Sequence, residues 1–121
     1  MMEKDKITRN WLGRYTGTDP NSFGQRILLT NFQNYVEKFA RKFDVPINGL
    51  GGPMTSSTNS QGLSIINFGI GSSNAATIMD LLSCVKPKCV FFLGKCGGLK
   101  KTTELGHFIL PVAVIRWGRH Q

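Results

Sequence analysis

Ile66-Asn67-Phe68-Gly69-Ile70-Gly71-Ser72-Ser73-Asn74-Ala75-Ala76-Thr77-Ile78-Met79-Asp80-Leu81-Leu82 is the stretch that decides the fold of this 121-residue chain. It begins inside a short apolar run, Leu63 to Phe68, whose length suits a buried strand. Gly69 and Gly71 punctuate the chain. Ala75, Ile78, Met79, Leu82 and Val85 then recur on one helical face, with Ser72 or Ser73 expected to cap the helix and Pro87 to end it. A strand that turns tightly into a helix is the unit of a layered α/β fold, where ligands bind at the carboxyl ends of the strands.

Downstream, Cys89-Val90-Phe91-Phe92-Leu93 is apolar throughout, the pattern of a central strand buried on both faces, and it runs into Gly94-Lys95-Cys96-Gly97-Gly98. A further strand is expected from Phe108 to Ile115, with Pro111 at an edge or bulge. Upstream, Ile27-Leu28-Leu29 predicts a short buried strand. Thr30-Asn31-Phe32-Gln33 fits a capping box, so a helix should start there. Phe32, Tyr35, Val36, Phe39, Ala40 and Phe43 form its apolar face, and Pro46 stops it. Strands over roughly 54–59 and 63–68 are joined by the turn Ser60-Gln61-Gly62. Near the N-terminus, Ile7, Trp11 and Tyr15 stand four apart and predict an amphipathic helix over about 5–15 that buries this face. No repeat, low-complexity segment or linker interrupts the pattern, which reads as one domain or part of one.

Composition narrows the function classes. The net charge is +8, from 15 Lys and Arg against 7 Asp and Glu. The basic residues are scattered in runs no longer than two and are not interleaved with aromatics, an arrangement that argues against nucleic-acid binding. No apolar run approaches the roughly 20 residues of a membrane span, and no apolar segment follows the charged N-terminus; a soluble, cytoplasmic protein is expected, with no membrane partner. Cys84, Cys89 and Cys96 lack paired zinc spacing, and His107 and His120 stand alone, so no metal and no cofactor are expected.

Three local motifs bear on chemistry. Gly69-Ile70-Gly71 before a helix has the form of a dinucleotide fingerprint, since glycine admits a phosphate close to the backbone and the helix offers free amides. Asn74 replaces the third glycine, and no acidic residue follows at ribose-binding distance, so a tight turn and a phosphate-binding turn both remain open. Gly94-Lys95 is not a P-loop, because the earlier glycine and the following hydroxyl are missing. Lys95 is either a solvated lysine or one that requires an anionic partner. Cys96 has no histidine placed by sequence to activate it, which leaves a small thiol rather than a nucleophile.

Together with Ile27 to Val36, Phe92 to Lys101 and Leu105 to Pro111, the opening stretch resembles the catalytic domain of the AMP nucleosidases, within the nucleoside phosphorylase superfamily, from about Trp11 to Arg116. The resemblance implies a three-layer α/β/α domain around a mixed sheet, of which this chain is the N-terminal half. It implies an oligomeric enzyme that uses water to split AMP into adenine and ribose 5-phosphate. Other readings are a nucleoside phosphorylase or another purine nucleosidase, or a non-catalytic nucleotide-binding remnant. In the wider superfamily, the loop here formed by Thr30-Asn31-Phe32 and the strand ending at Gly94 hold the attacking orthophosphate. Tyr35 and Phe92 stand where the phosphorylases carry Arg, and Lys95 where they carry Ser, which fits a hydrolase.

The same matching implies that Lys95, Cys96 and Gly97 line the base and ribose side of the pocket and that Gly69 and Gly71 shape its floor, with Asn31 and Phe32 completing the substrate-binding set. The catalytic acids, a Glu for the ribose and an Asp for the purine, are expected beyond Gln121; neither Asp80 nor Glu104 is assigned to those roles. Where the family continues Arg-Gly-Glu-Gly-Thr-Ser, this chain reads Arg116-Trp117-Gly118-Arg119-His120-Gln121. One base inserted in the Arg codon produces that ending, so residues 116–121 are expected to be an out-of-frame tail and the chain a truncated, inactive fragment with an exposed sheet edge.

Overall fold

The computed structural model describes residues 3–111. Helix α1 (Glu3–Thr16) leads through a short 3-10 turn into β1 (Arg26–Thr30), and α2 (Gln33–Phe43) follows at once. Then come β2 (Thr55–Thr58), β3 (Leu63–Asn67), α3 (Ser72–Leu82) and β4 (Cys89–Leu93). The strands form one mixed sheet in the order β2-β3-β1-β4. β1 runs parallel to both β3 and β4, and β2 is antiparallel to β3.

Alternation along the strands separates two cores. Ile27, Leu29, Ile66 and Phe68 face α1 and α3, where they meet Leu12, Ile78 and Leu82. Leu28 and Ile65 face the other way, against Val36 and Phe39 of α2. Helices thus cover both faces of a mixed sheet, the α/β/α layering that the resemblance implies.

Several local expectations need correction. On α1 the buried stripe is Thr8, Leu12 and Thr16, while Ile7 and Trp11 are 50% and 43% exposed. Threonine can face inward here because its hydroxyl bonds within the helix: Thr8 Oγ1 donates to Lys4 O at 2.8 Å and Thr16 Oγ1 to Leu12 O at 2.7 Å. Trp11 stays outside, edge-on to Tyr15 with Arg14 over its ring.

The capping box does not form. Thr30 belongs to β1, Phe32 is the N-cap of α2, and no side chain caps the helix. Thr30 Oγ1 instead accepts from Phe32 N at 3.1 Å. Gln33 Oε1 accepts from Thr55 Oγ1 at 2.7 Å and from Asn67 Nδ2 at 2.8 Å, tying α2 to β2 and β3. These tertiary donors displace the local one. The helix ends before Pro46, at Asp44 in the left-handed region with φ 52°, whose amide donates to Ala40 O.

Neither Ser72 nor Ser73 caps α3. Gly71 does so, at φ 102°, a backbone angle that side chains disfavour. On that helix the buried residues are Ile78, Leu81 and Leu82, while Met79 is half exposed.

β4 is the edge strand of the described sheet rather than a central one. Phe91 and Phe92 are 55% and 61% exposed, because the helices pack over β1 and β3 and leave much of β4 uncovered. The strand expected over Phe108–Ile115 is not formed by its described part, residues 108–111; the remainder, and the tail 116–121, lie outside the described residues.

Candidate functional site at the carboxyl ends of the strands

The parallel strands β1, β3 and β4 end at one level, since Thr30 pairs with both Asn67 and Leu93. Beyond that level lies a cleft of about 480 Å³. Leu29, Phe68, Val90 and Phe92 rise from the sheet to form one wall, and Ala75 and Met79 of α3 form the other. Leu29 and Phe92 are register partners, and the Phe68 and Phe92 rings stand 6.0 Å apart. Asn31, Gly71 and Ser72 supply the polar rim.

The rim follows from local geometry. The chain leaves β3 through Asn67, whose Oδ1 accepts from Gly69 N at 3.1 Å. Gly69, at φ 88°, lies so close to Asn74 that a Cβ would stand 2.9 Å from its Nδ2. At Gly71 a Cβ would meet nothing within 4 Å, because that face opens toward the cleft. The first amides of α3 follow with no side-chain cap. Across the cleft, Asn31 Oδ1 is buried and accepts no hydrogen bond from the described residues. Such an acceptor is costly to leave empty, and it suits a ligand that donates an N–H or O–H.

Lys95 follows β4 by two residues and turns back over α2. Its Nζ stands 4.4 Å from the Phe32 ring centroid and 5.6 Å from that of Tyr35, and those rings meet edge to face. Among the described residues the one ion pair is His107–Glu104 at 3.9 Å, so Lys95 is held by aromatic faces and not by a carboxylate.

Of the residues singled out by sequence, Asn31 and Gly71 line the cleft and Gly69 shapes the turn before α3, while Phe32 and Lys95 lie outside its lining, the ammonium over the Phe32 ring. Cys96 is not brought to this cleft. It lines a separate cavity of about 300 Å³ with Thr103, Glu104 and His107, while Gly97 is exposed with open space around it. Leu29, Phe68 and Ala75 line the cleft without having been singled out, although their strand-end or first-turn positions on the α3 side of the sheet carried the signal; Phe92, noted for standing where the phosphorylases carry Arg, lines it too. No group of three metal-binding side chains occurs among the described residues.

The three thiols differ in environment. Burial, the larger influence, pushes the Cys84 thiol above its ordinary value against the opposing pull of Arg9. Cys96 is exposed. A thiol-specific reagent at mildly alkaline pH should therefore label Cys96 first and Cys84 last, since the thiolate is the reacting form. Mass spectrometry of timed digests checks the order; equal rates would show that Cys84 is not shielded.

A family model described as the Phosphorylase superfamily matches residues 25–121. The chain belongs to the phosphorylase superfamily. Among solved structures, this phosphorylase-superfamily chain is similar to an AMP nucleosidase from Bacteroides thetaiotaomicron, with 50% identity and a TM-score of 0.74 over 80% of this chain. Among curated proteins it is similar to AMP nucleosidases of Escherichia coli K12 and O157:H7, each 29% identical over an alignment 141 positions long that covers 87% of this chain. It spans 42% of the solved relative and 29% of each curated one. No helix among the described residues is long and apolar enough to cross a membrane.

Proposed function

We propose that this chain is the substrate-holding part of an AMP nucleosidase domain, one that hydrolyses the N-glycosidic bond of AMP to adenine and ribose 5-phosphate. The observation that carries this reading is the 50% identity with a solved AMP nucleosidase over four-fifths of the chain, with matching tertiary structure. The cleft suits the role. Its aliphatic and aromatic walls accept a planar base and a sugar ring, and Asn31 offers an acceptor to a donor on either.

Breaking a glycosidic bond to a purine requires proton donation to the leaving base and support for a cationic sugar, the work of carboxyl groups. No Asp or Glu lines the cleft among the described residues. In this reading the acids of the complete domain are supplied from outside this part of it. The complete domain is a soluble, cytoplasmic homo-oligomer that needs neither metal nor cofactor, and nucleic acid is not a partner.

The test follows adenine release chromatographically, and AMP binding by equilibrium dialysis. The 121-residue chain should bind AMP saturably without turnover. The same segment completed by the remaining part of an AMP nucleosidase domain should release adenine from AMP without added orthophosphate. Release only with orthophosphate, or from adenosine in preference, would indicate a phosphorylase. Binding without turnover in both proteins would make it a nucleotide-binding remnant.

A further inference from the structure

We propose that Asn48 is a self-modification site, where the Gly49 amide closes a succinimide on the Asn48 side chain, and that the packed junction of α1 with β2 restrains the reaction. Asn48-Gly49 is the one Asn-Gly pair in the chain. Glycine resists ring closure least, because it sets no side chain beside the attacking nitrogen and leaves the backbone free to turn. In the step, the Gly49 nitrogen bonds to the Asn48 side-chain carbonyl carbon, and the side-chain amino group leaves as ammonia with the proton that Gly49 gives up. Water then opens the ring at either carbonyl, which yields aspartate or isoaspartate. Neither residue lines the cleft, and the chemistry is independent of what binds there.

The fold holds both reacting groups. Asn48 Nδ2 donates to Thr18 Oγ1 at 2.9 Å, and the Asn48 backbone exchanges hydrogen bonds of 2.7 and 3.0 Å with Ser56 in an antiparallel bridge. The Gly49 nitrogen is packed against Gly17, where a Cβ would stand 2.3 Å from it. Closure requires the side chain to leave Thr18 and the peptide unit to turn in a space with no room for a methyl group, so the junction must first open. The product does not fit when it closes again. Ser56 Oγ gives its proton to Thr16 O at 2.7 Å, so the 2.6 Å contact between Thr18 and Ser56 uses the Thr18 proton, and Asn48 supplies the donor that Thr18 still accepts. A carboxylate in that place brings no donor to a buried network. Isoaspartate adds a methylene to the main chain beside Gly49, which already lies against the carbonyls of Thr16 and Met54.

The test ages the 121-residue protein at mildly alkaline pH, folded and in unfolding urea, and follows its asparagine-containing peptides by mass spectrometry. The unfolded chain should convert at Asn48 ahead of every other asparagine, to both aspartate and isoaspartate, and faster as pH rises because the deprotonated amide attacks. The folded chain should convert at least about tenfold more slowly, in proportion to the fraction of molecules opened. Thr18→Val, which removes the acceptor of the side-chain amide, should speed conversion of the folded chain and leave that of the unfolded chain unchanged. If that variant does not fold, wild type in urea below its midpoint gives the same comparison, its rate rising with the opened fraction. Gly49→Ala should slow the unfolded chain, since its methyl crowds the nitrogen. Asn48→Asp should lower the urea midpoint.

Equal rates in the folded and unfolded wild type would mean that the junction exerts no restraint and overturn the proposal. Aspartate formed without isoaspartate would show direct hydrolysis by water in place of attack by Gly49, and would overturn it as well. Faster conversion of another asparagine in the unfolded chain would remove Asn48 as the site.

Discussion

Replacing Gly49 by alanine lowers the unfolding free energy by about 3 kcal/mol or more. Gly49 lies at φ 81°, in the left-handed region, and a Cβ there would stand 2.5 Å from the carbonyl oxygens of both Thr16 and Met54. Both obstacles are backbone, so neither can swing aside. Thr16 is itself fully buried at the end of α1, and its carbonyl accepts from Ser56 Oγ at 2.7 Å. Asn48 exchanges two backbone hydrogen bonds with Ser56, at 2.7 and 3.0 Å. Any shift that relieves the alanine therefore loosens the junction of α1 with β2. Gly51→Ala is the matched control: its φ of 85° carries the same backbone strain, but a Cβ there meets nothing within 4 Å, so it should lose only about 1 kcal/mol. Urea melts of the two variants check this. Equal losses would show that the close approach at Gly49 is not a constraint on the fold.

Ser72→Trp should weaken AMP binding on the order of 100-fold, about 2.7 kcal/mol, and adenosine binding equally. Ser72 is the first residue of α3, exposed, and part of the cleft rim. An indole there occupies space that the base or sugar would take, yet it displaces no core side chain. The melting midpoint should hardly move, as for surface substitutions in general, which change stability by about 0.5 kcal/mol or less. Equilibrium dialysis with both ligands is the measurement. An equal effect on nucleotide and nucleoside is what a blocked cleft predicts. Unaltered AMP affinity would move the site away from the strand ends.

The strand and helix segments were largely legible because their signals are local. β3, β4 and α2 each show an apolar run or a 3.6-residue period that no other conformation uses so well. The glycines at 69 and 71 marked the strand-to-helix turn for a similarly local reason: both adopt positive φ, which side chains resist. The site was only partly legible. Asn31, directly after β1, and Gly71, at the N-cap of α3, were singled out by sequence and line the cleft. Cys96 and Gly97 were grouped with them through the family resemblance; neither lines this cleft, and Cys96 lines a separate cavity.

The chain alone, through its period, apolar runs and glycines, determined which segments become helix and strand, the α/β class, and the end of the sheet where a ligand would sit. Tertiary structure decided which stripe of α1 turns inward, what Gln33 bonds to, that β4 lies at the edge of the described sheet, and that Lys95 lies over Phe32. Each of these depends on partners distant in sequence: β1 with β3 and β4, Gln33 with Thr55 and Asn67, Lys95 with Phe32 and Tyr35. Periodicity reports how a segment can fold against an apolar surface, but the surface it meets, and the hydrogen-bond partners it finds there, come from the packed whole.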